Sequence, residues 1–389
     1  MLGSLPPLRA LSSYCLALAL AVAELGKVEF LSFKKIYPAF LYPGGDLKND
    51  YTFPEIGHTC LAVDRRLTWF NPVTWVAAGF STHGDLLHAQ WWSLPLWLVY
   101  MCVCGGFKLR GKPVVLTIHN VLPHESSFLH SMASRVLFKL GNHFIVHSKQ
   151  NMTQVMRHYN VPAHMLTCIP MGPLDFHVPH NIDRDRVRGE MGFNKECKVV
   201  LLFGNIRHYK GIDTALQAFA KVVDEIPESR LVIAGKLWES WMPYERWTEK
   251  LGIKDYVSTY LKYIPAGEHY RFFCASDLVI LPYRYFDAQS AVGAAALSFG
   301  KPIIVTNVGG LPEYVEDRRF VVPPKDPAAL AAAMVECLKD KSQLQAMSKS
   351  SRNIATRLAW PTIAEKTWAV YGKVLGKPVT VSGEGEGAT

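Results

Sequence analysis

Charged residues are scarce in this chain of 389 residues, at 19% against 49% hydrophobic. That balance supplies the apolar mass of a globular protein, and the length suits two domains of about 150 to 200 residues, each with its own core. Long apolar runs are also missing. The most apolar stretch, WWSLPLWLVYMCVC at 91–104, stops short of the about 20 residues that a membrane span needs and contains Pro95. It is expected to form a buried helix, with a helix lying at a membrane interface as the alternative. The eight cysteines are scattered, and the close pair Cys102 and Cys104 lacks C-x-x-C spacing. This excludes a compact zinc or redox motif and predicts reduced thiols in a reducing compartment. No run of Lys and Arg interleaves with aromatics, so the formal charge of +9 suits anionic ligands or an anionic membrane surface better than nucleic acid.

What is present begins with LALALAVAEL at 16–25, preceded by Arg9. It could be a secretory signal with an AVA cleavage site, but Ser12, Ser13, Tyr14 and Cys15 interrupt the apolar region, and a first helix of a strand-helix-strand unit is the preferred reading. On that reading residues 1–5 are too few for a preceding strand, so the start of the first domain is expected to be clipped or atypical. Residues 28–33 read as a strand. The Pro- and Gly-bearing loop at 34–50 follows, with Phe33, Tyr37, Phe40 and Tyr42 either pinned inward or available to a sugar or partner.

VVLTIHN at 114–120 has the near-continuous apolar run of a buried parallel strand. Its end places His119 and Asn120 where ligands collect in open α/β sheets, although a histidine there can equally serve as a loop cap. A second short strand at 144–147 ends the same way, at His147 and Ser148. His124 and Glu125 follow one short loop after His119 and are either solvated or functional. PMGPLDFHVP at 170–179 reads as an interdomain linker.

Beyond it, strands at 199–203, 231–234, 257–261, 278–281 and 303–306 alternate with helices at 211–226, 241–251, 268–275 and 290–299, the pattern of a doubly wound parallel sheet. Helices at 327–339 and 342–358 and a last helix to 375 complete the chain. The tail, ending GEGEGAT, has no core-forming residues. The domains are placed at 1–175 and 176–358, with a helix at 359–375 packing back toward the first domain and a disordered tail at 376–389. The sharpest feature is FGNIRHYKG at 203–211, where a strand runs through a glycine-punctuated loop into an amphipathic helix. Free backbone N–H groups and a positive helix end make such a loop an anion site, and Arg207 and Lys210 add two cations.

In order, VVLTIHN, FGNIRHYKGID, LVIAG, residues 278–283 and QSAVGAAALSFGKPIIVTNVGGLPE resemble the retaining nucleotide-sugar glycosyltransferases of family 4. The resemblance spans residues 6–375 and is strongest over 199–316. It implies an α/β protein of the GT-B class, two facing Rossmann-like domains with doubly wound parallel sheets. It also implies a transfer from a nucleotide-diphosphate sugar to a saccharide or lipid-linked acceptor, plausibly in polysaccharide or glycolipid synthesis in the cytoplasm, with peripheral contact at the inner face of the membrane. No nucleic acid and no cofactor beyond the donor substrate are implied.

The catalytic set carried over is His119, Arg207, Lys210 and Asp287. The donor-binding set is Gly204, Asn205, Tyr263, Ile264, Gln289, Ser290, Ala291 and Val292. Arg207 and Lys210 resemble the pair that holds the diphosphate, with the arginine three residues before the lysine rather than at Asn205. Gln289 to Val292 match a second phosphate-facing stretch, His119 the histidine beside the transferred sugar, and Tyr263 and Ile264 the base-binding loop. The family's two glutamates fall at Asp287, a shortened acid, and Ala295, where the acid is missing. No D-x-D stands in a suitable loop, so no metal is implied and the two cations would take its place. The competing readings are a nucleotide-sugar epimerase of the same shape and a catalytically weak sugar-nucleotide-binding scaffold subunit.

Overall fold

A computed structural model describes residues 1–9, 11–37, 49–53, 55–121, 128–174 and 182–377. Phe40 and Tyr42, His124 and Glu125, residues 175–179 of the expected linker and residues 378–389 of the tail lie outside the described residues. The chain divides into two units, one of Met1–Gly172 with Leu358–Thr389 and one of Pro173–Arg357.

The N-terminal unit runs α1 (Ser12–Ala23), β1 (Val28–Lys35), β2 (Leu61–Thr68), α2 (Pro72–Ser81), β3 (Leu87–Trp91), α3 (Trp97–Leu109), β4 (Val114–Ile118), α4 (Phe128–Phe138), β5 (His143–Val146), α5 (Lys149–Tyr159) and β6 (Leu166–Cys168). Strands β3, β4, β5 and β6 pair in parallel in that order, and β1 pairs in parallel with β2. The first residues join the two groups. Leu2 makes parallel bridges to Leu31 of β1 and to Ala89 of β3, with Leu2 N donating to His88 O at 2.9 Å and Gly3 N to Leu31 O at 3.2 Å. As expected, residues 1–5 form no regular strand, and Leu2 alone bridges the two groups, with partners on both sides satisfying the backbone around it.

The apolar segment at 91–104 is also more divided than one buried helix. Trp91 closes β3, a short 3₁₀ turn covers Leu94–Leu96, and α3 begins at Trp97. Pro95, which has no N–H to donate, is tolerated in that first turn. Val99, Tyr100, Val103, Cys104 and Phe107 then enter the core. The apolar helix α1 is buried nearly all round, as its composition requires. The eight cysteines form no disulfide.

The C-terminal unit runs α6 (Arg184–Glu190), β7 (Lys198–Phe203), α7 (Ile212–Glu225), β8 (Ser229–Ala234), α8 (Met242–Lys250), β9 (Val257–Tyr260), α9 (His269–Ala275), β10 (Leu278–Leu281), α10 (Ala291–Ser298), β11 (Ile303–Thr306), β12 (Val321–Val322), α11 (Pro327–Lys339) and α12 (Lys341–Arg357). Its sheet is parallel, ordered β12-β11-β10-β7-β8-β9. The chain leaves β7 toward β8 on one side and returns to β10 on the other. Loops after β7 and β10 therefore part at a topological switch point, where ligands bind in open α/β sheets. The last helix, α13 (Trp360–Leu375), packs on α1 of the N-terminal unit.

Helices α2 and α3 approach closely enough to exclude side chains. A Cβ on Gly106 would lie 2.8 Å from Gly79 Cα, whereas one on Gly105 would meet nothing within 4 Å. Gly106→Ala should therefore lower unfolding stability by about 1 to 3 kcal/mol, because backbone rather than a flexible side chain must yield. Gly105→Ala should be neutral or slightly stabilising through helix propensity. Urea denaturation of both variants checks this, and equal midpoints would contradict the proposed backbone contact.

Candidate active site

The loop after β7 is held from both sides. Gly211 sits at φ +69°, and a Cβ there would fall 2.0 Å from Pro282 O, so only glycine lets α7 begin this close to the chain after β10. Ile206 N donates to Lys236 O at 2.8 Å, Trp238 N to Ile206 O at 3.1 Å, and Arg284 N to Tyr209 O at 2.8 Å. His208 N donates to the Glu239 carboxylate at 2.8 Å.

Each cation of the loop rests on aromatic rings. Lys210 is buried, with its Nζ 4.2 Å from the Tyr283 ring centroid and donating to the Tyr283 hydroxyl. That hydroxyl lies 3.0 Å from Ser290 Oγ, which in turn caps α10 by accepting from Gly293 N. Among the described residues no carboxylate pairs with Lys210. Burial lowers its pKa to about 7, and repulsion from Arg207 adds to the effect. The Arg207 guanidinium lies 4.7 Å from the Trp238 ring centroid and 5.4 Å from that of Tyr209.

Gly204 has φ +102°, and a Cβ there would stand 3.1 Å from Val292 Cγ2 and 3.4 Å from Lys210 Nζ. The structure thus gathers Gly204, Lys210, Ser290 and Val292 of the expected set. Ala291 and Val292 open α10, where backbone N–H groups have no intrahelical partner. Gln289 is buried and donates to Glu313 at 2.7 Å, while Asp287 lies half-buried two residues earlier. Asn205 is exposed beside the same loop. Tyr263 and Ile264 follow the edge strand β9, two strands from β7, and Ile264 O accepts from His269 Nε2 at 3.1 Å. Ala295 is buried on α10.

Trp238, Glu239, Tyr283 and Glu313 were not singled out from sequence. Tyr283 had a legible signal, its place just past the buried run LVIL of β10. Trp238 and Glu313 meet the site only through tertiary contacts.

In the N-terminal unit, His119 follows β4 and is buried, its Nε2 2.9 Å from the Gln90 side-chain amide and its Nδ1 3.1 Å from His147 Nε2. Tyr14 of α1 stacks edge-on against both rings, at 4.8 Å and 5.2 Å. Burial, with repulsion from His147 and His88 second, holds the His119 pKa well below the usual histidine range.

A parallel sheet with an anion loop at its switch point, joined to a second parallel α/β unit, is the architecture of the GT-B proteins. Residues 183–354 match the family described as glycosyl transferases group 1. Among curated proteins, the chain is 24% identical over 323 residues to a D-inositol 3-phosphate glycosyltransferase of Corynebacterium glutamicum (strain R), covering 77% of this chain and 74% of that one. It is 27% identical over 199 residues to spore coat protein SA of Bacillus subtilis (strain 168), covering 49% and 52%. Among solved structures, sucrose-phosphate synthase from Thermosynechococcus elongatus superposes with a TM-score of 0.71 at 21% identity, covering 93% of each chain. Anabaena HepE, solved with UDP and glucose, gives 0.73 at 17% identity over 96% of this chain and 98% of that one. The fold is that of the GT-B proteins, and the match to the group 1 glycosyl transferases lies in the C-terminal unit.

The buried Lys210 gives a signed pH dependence. Its folded pKa lies below the unfolded value near 10.5, so the unfolded chain binds more protons between pH 7 and 10.5, and stability gains as pH rises through that window. Lys210→Met removes the buried cation. Its stability advantage over the parent protein should be largest below pH 7 and should shrink by about 1.4 kcal/mol per unit above it. Urea midpoints at pH 6 to 9 measure the gap, and a gap independent of pH would show that Lys210 keeps its solution pKa.

Proposed function

We propose that this protein is a retaining glycosyltransferase of the hexosyl type, in which the C-terminal unit binds a nucleoside-diphosphate sugar and the N-terminal unit a saccharide or lipid-linked acceptor. The observation that carries the reading is the pair of cations on aromatic rings at the switch point, with Lys210 linked through Tyr283 to Ser290 at the opening of α10. When the bond from the anomeric carbon to phosphate breaks, negative charge grows on the diphosphate, so Arg207, Lys210 and the first N–H groups of α10 stabilise the transition state more than the bound substrate. The departing phosphate takes the acceptor proton on the same face of the sugar, which gives retention without a pair of carboxylates at hydrolase spacing. Tyr263 and Ile264 are assigned to the base, Asn205, Gly204 and Gln289 to Val292 to the diphosphate and sugar, and Asp287 and His119 to the transferred sugar. The two cations take the charge-neutralising role of a divalent metal. UDP-sugars are the first donors to test, since HepE was solved with UDP-glucose.

A thermal-shift screen against UDP-, GDP- and ADP-sugars, followed by transfer assays on the best donor, tests the reading. Turnover should persist in EDTA. Lys210→Ala and Arg207→Ala should each cost about 1.5 to 3 kcal/mol, mainly in kcat, as expected for a lost charge-assisted contact. Undiminished kcat in both variants at saturating donor, or loss in EDTA restored by Mg²⁺, would refute the assignment.

We place the reaction on the cytoplasmic side of a membrane, as part of polysaccharide or glycolipid synthesis. Among the described residues no helix is long and apolar enough to cross a bilayer. The exposed apolar side chains gather on the N-terminal unit, with Phe70, Val73, Val76 and Phe80 at α2 and Phe128, Leu129, Met132 and Val136 on α4. Exposed Arg66, Arg135 and Lys139 stand near them in the chain. Apolar burial with about 1 kcal/mol per basic residue suits docking on an anionic leaflet. Flotation should recover the protein with anionic vesicles, less so as salt rises, and Val76→Glu with Met132→Glu should abolish recovery. Equal flotation with zwitterionic vesicles, or none with either kind, would remove the membrane from this reading.

A further inference from the structure

A chain of hydrogen bonds crosses one face of the N-terminal sheet beneath α1 and α13. Tyr371 Oη of α13 lies 2.6 Å from His88 Nδ1, and His88 Nε2 lies 2.6 Å from Thr117 Oγ1 and 3.2 Å from Gln90 Nε2. Gln90 Oε1 lies 2.9 Å from His119 Nε2, His119 Nδ1 meets His147 Nε2 at 3.1 Å, and His147 Nδ1 meets Ile169 O at 2.9 Å. His88 and Gln90 share one face of β3, two residues apart, while Leu87, Ala89 and Trp91 turn into the apolar cluster on the other.

The protons of this chain follow from its fixed end. A backbone carbonyl only accepts, so His147 carries its proton on Nδ1. In a neutral ring His147 Nε2 is then an acceptor, and His119 must donate to it from Nδ1. This leaves His119 Nε2 with a bare lone pair. With Gln90 Oε1 toward that atom, as it stands, His119 or His147 needs a second proton in a fully buried site, and turning the amide over removes that need. Burial opposes the second proton, holding His119 well below the ordinary range and bringing His147 down to about 4. With the Gln90 nitrogen toward His119, all three rings are neutral and every contact has one donor. Gln90 donates to His119 Nε2, His88 donates from Nε2, and the Tyr371 hydroxyl donates to His88 Nδ1. The orientation of a side-chain amide is assigned from such a network.

We propose that His147 is a positioning residue for His119, fixing it as the Nδ1–H tautomer so that Nε2 presents a hydrogen-bond acceptor to a substrate hydroxyl. The ligand chemistry is a sugar or acceptor hydroxyl that takes the place of the Gln90 amide; a ring protonated on Nε2 would offer it a donor instead. The tautomer stands on the geometry of the free protein, and its consequence for transfer rests on the function proposed above for His119.

Two-bond ¹H–¹⁵N spectra of the full chain labelled at histidine read the tautomer directly, with His119→Gln and His147→Gln assigning the signals. In the parent protein at pH 7, His119 should be protonated on Nδ1 alone. In His147→Leu, which removes the acceptor, His119 should lose that preference and kcat should fall at least tenfold with the donor KM within twofold. His147→Gln retains an oxygen acceptor and should recover both the tautomer and most of the rate, an outcome a purely space-filling role would not produce. His119 found as the Nε2–H tautomer or as imidazolium in the parent protein overturns the proposal without any variant, and so does an unchanged tautomer or kcat in His147→Leu. Absence of transfer with every donor would instead refute the proposed function and leave the spectra to decide the tautomer.

Discussion

The C-terminal unit depends on one electrostatic constraint, a lysine amine held out of water with no carboxylate paired to it among the described residues. Burying an unpaired cation is costly, and Lys210 remains there because the Tyr283 ring face and hydroxyl replace part of its hydration. The surrounding chain serves that placement. Gly204 leaves room for Nζ, Gly211 lets α7 begin against Pro282, and Tyr283 passes the contact on to the residue that caps α10. An acid near Lys210 would satisfy its charge at rest, and in its place a ring face and a hydroxyl leave the cation only partly compensated, at a cost in stability.

Much of the C-terminal sheet was legible because parallel strands buried on both faces are written as unbroken apolar runs, such as Val199 to Leu202 and Leu278 to Leu281. The N-terminal unit was less readable for an equally physical reason. Strand β3, LHAQW, carries His88 and Gln90 in fully buried positions. Its polar residues are tolerated only because Thr117, His119 and Tyr371, remote in sequence, supply partners. Strand β2, LAVDRRLT, is partly exposed and carries three charges, so its pattern is diluted. Leu2 bridges residues 31 and 89 without belonging to a strand of its own, a tertiary contact that no local pattern encodes.

The same division separates the parts of the site that were legible from those that were not. Arg207, Lys210 and Gly211 lie within one loop, and a strand-loop-helix pattern singles them out in the sequence. Tyr283 and Trp238 reach that loop from segments that follow other strands, and their residue types are equally at home in a core, while Glu313 meets Gln289 just before α10. The shortened acid at Asp287 and the alanine at 295 could be seen in the sequence. The hydrogen bond from Gln289 to Glu313, which brings a carboxylate to the residue before Ser290 from a later turn of the chain, could not be seen there.

The two units apply desolvation to opposite ends. Around Lys210 burial lowers the pKa to about 7, so a modest change in the local field shifts its charge. Around His119 burial keeps three imidazoles neutral, and the fixed carbonyl of Ile169 then dictates which nitrogen of each ring bears the proton. A charged imidazole in that position would carry donors on both nitrogens and could accept from no hydroxyl. A solvated lysine would remain charged but would lack a fixed direction. In both units the low dielectric converts an ordinary side chain into one with a defined electronic role, and the aromatic and amide neighbours hold that role in place.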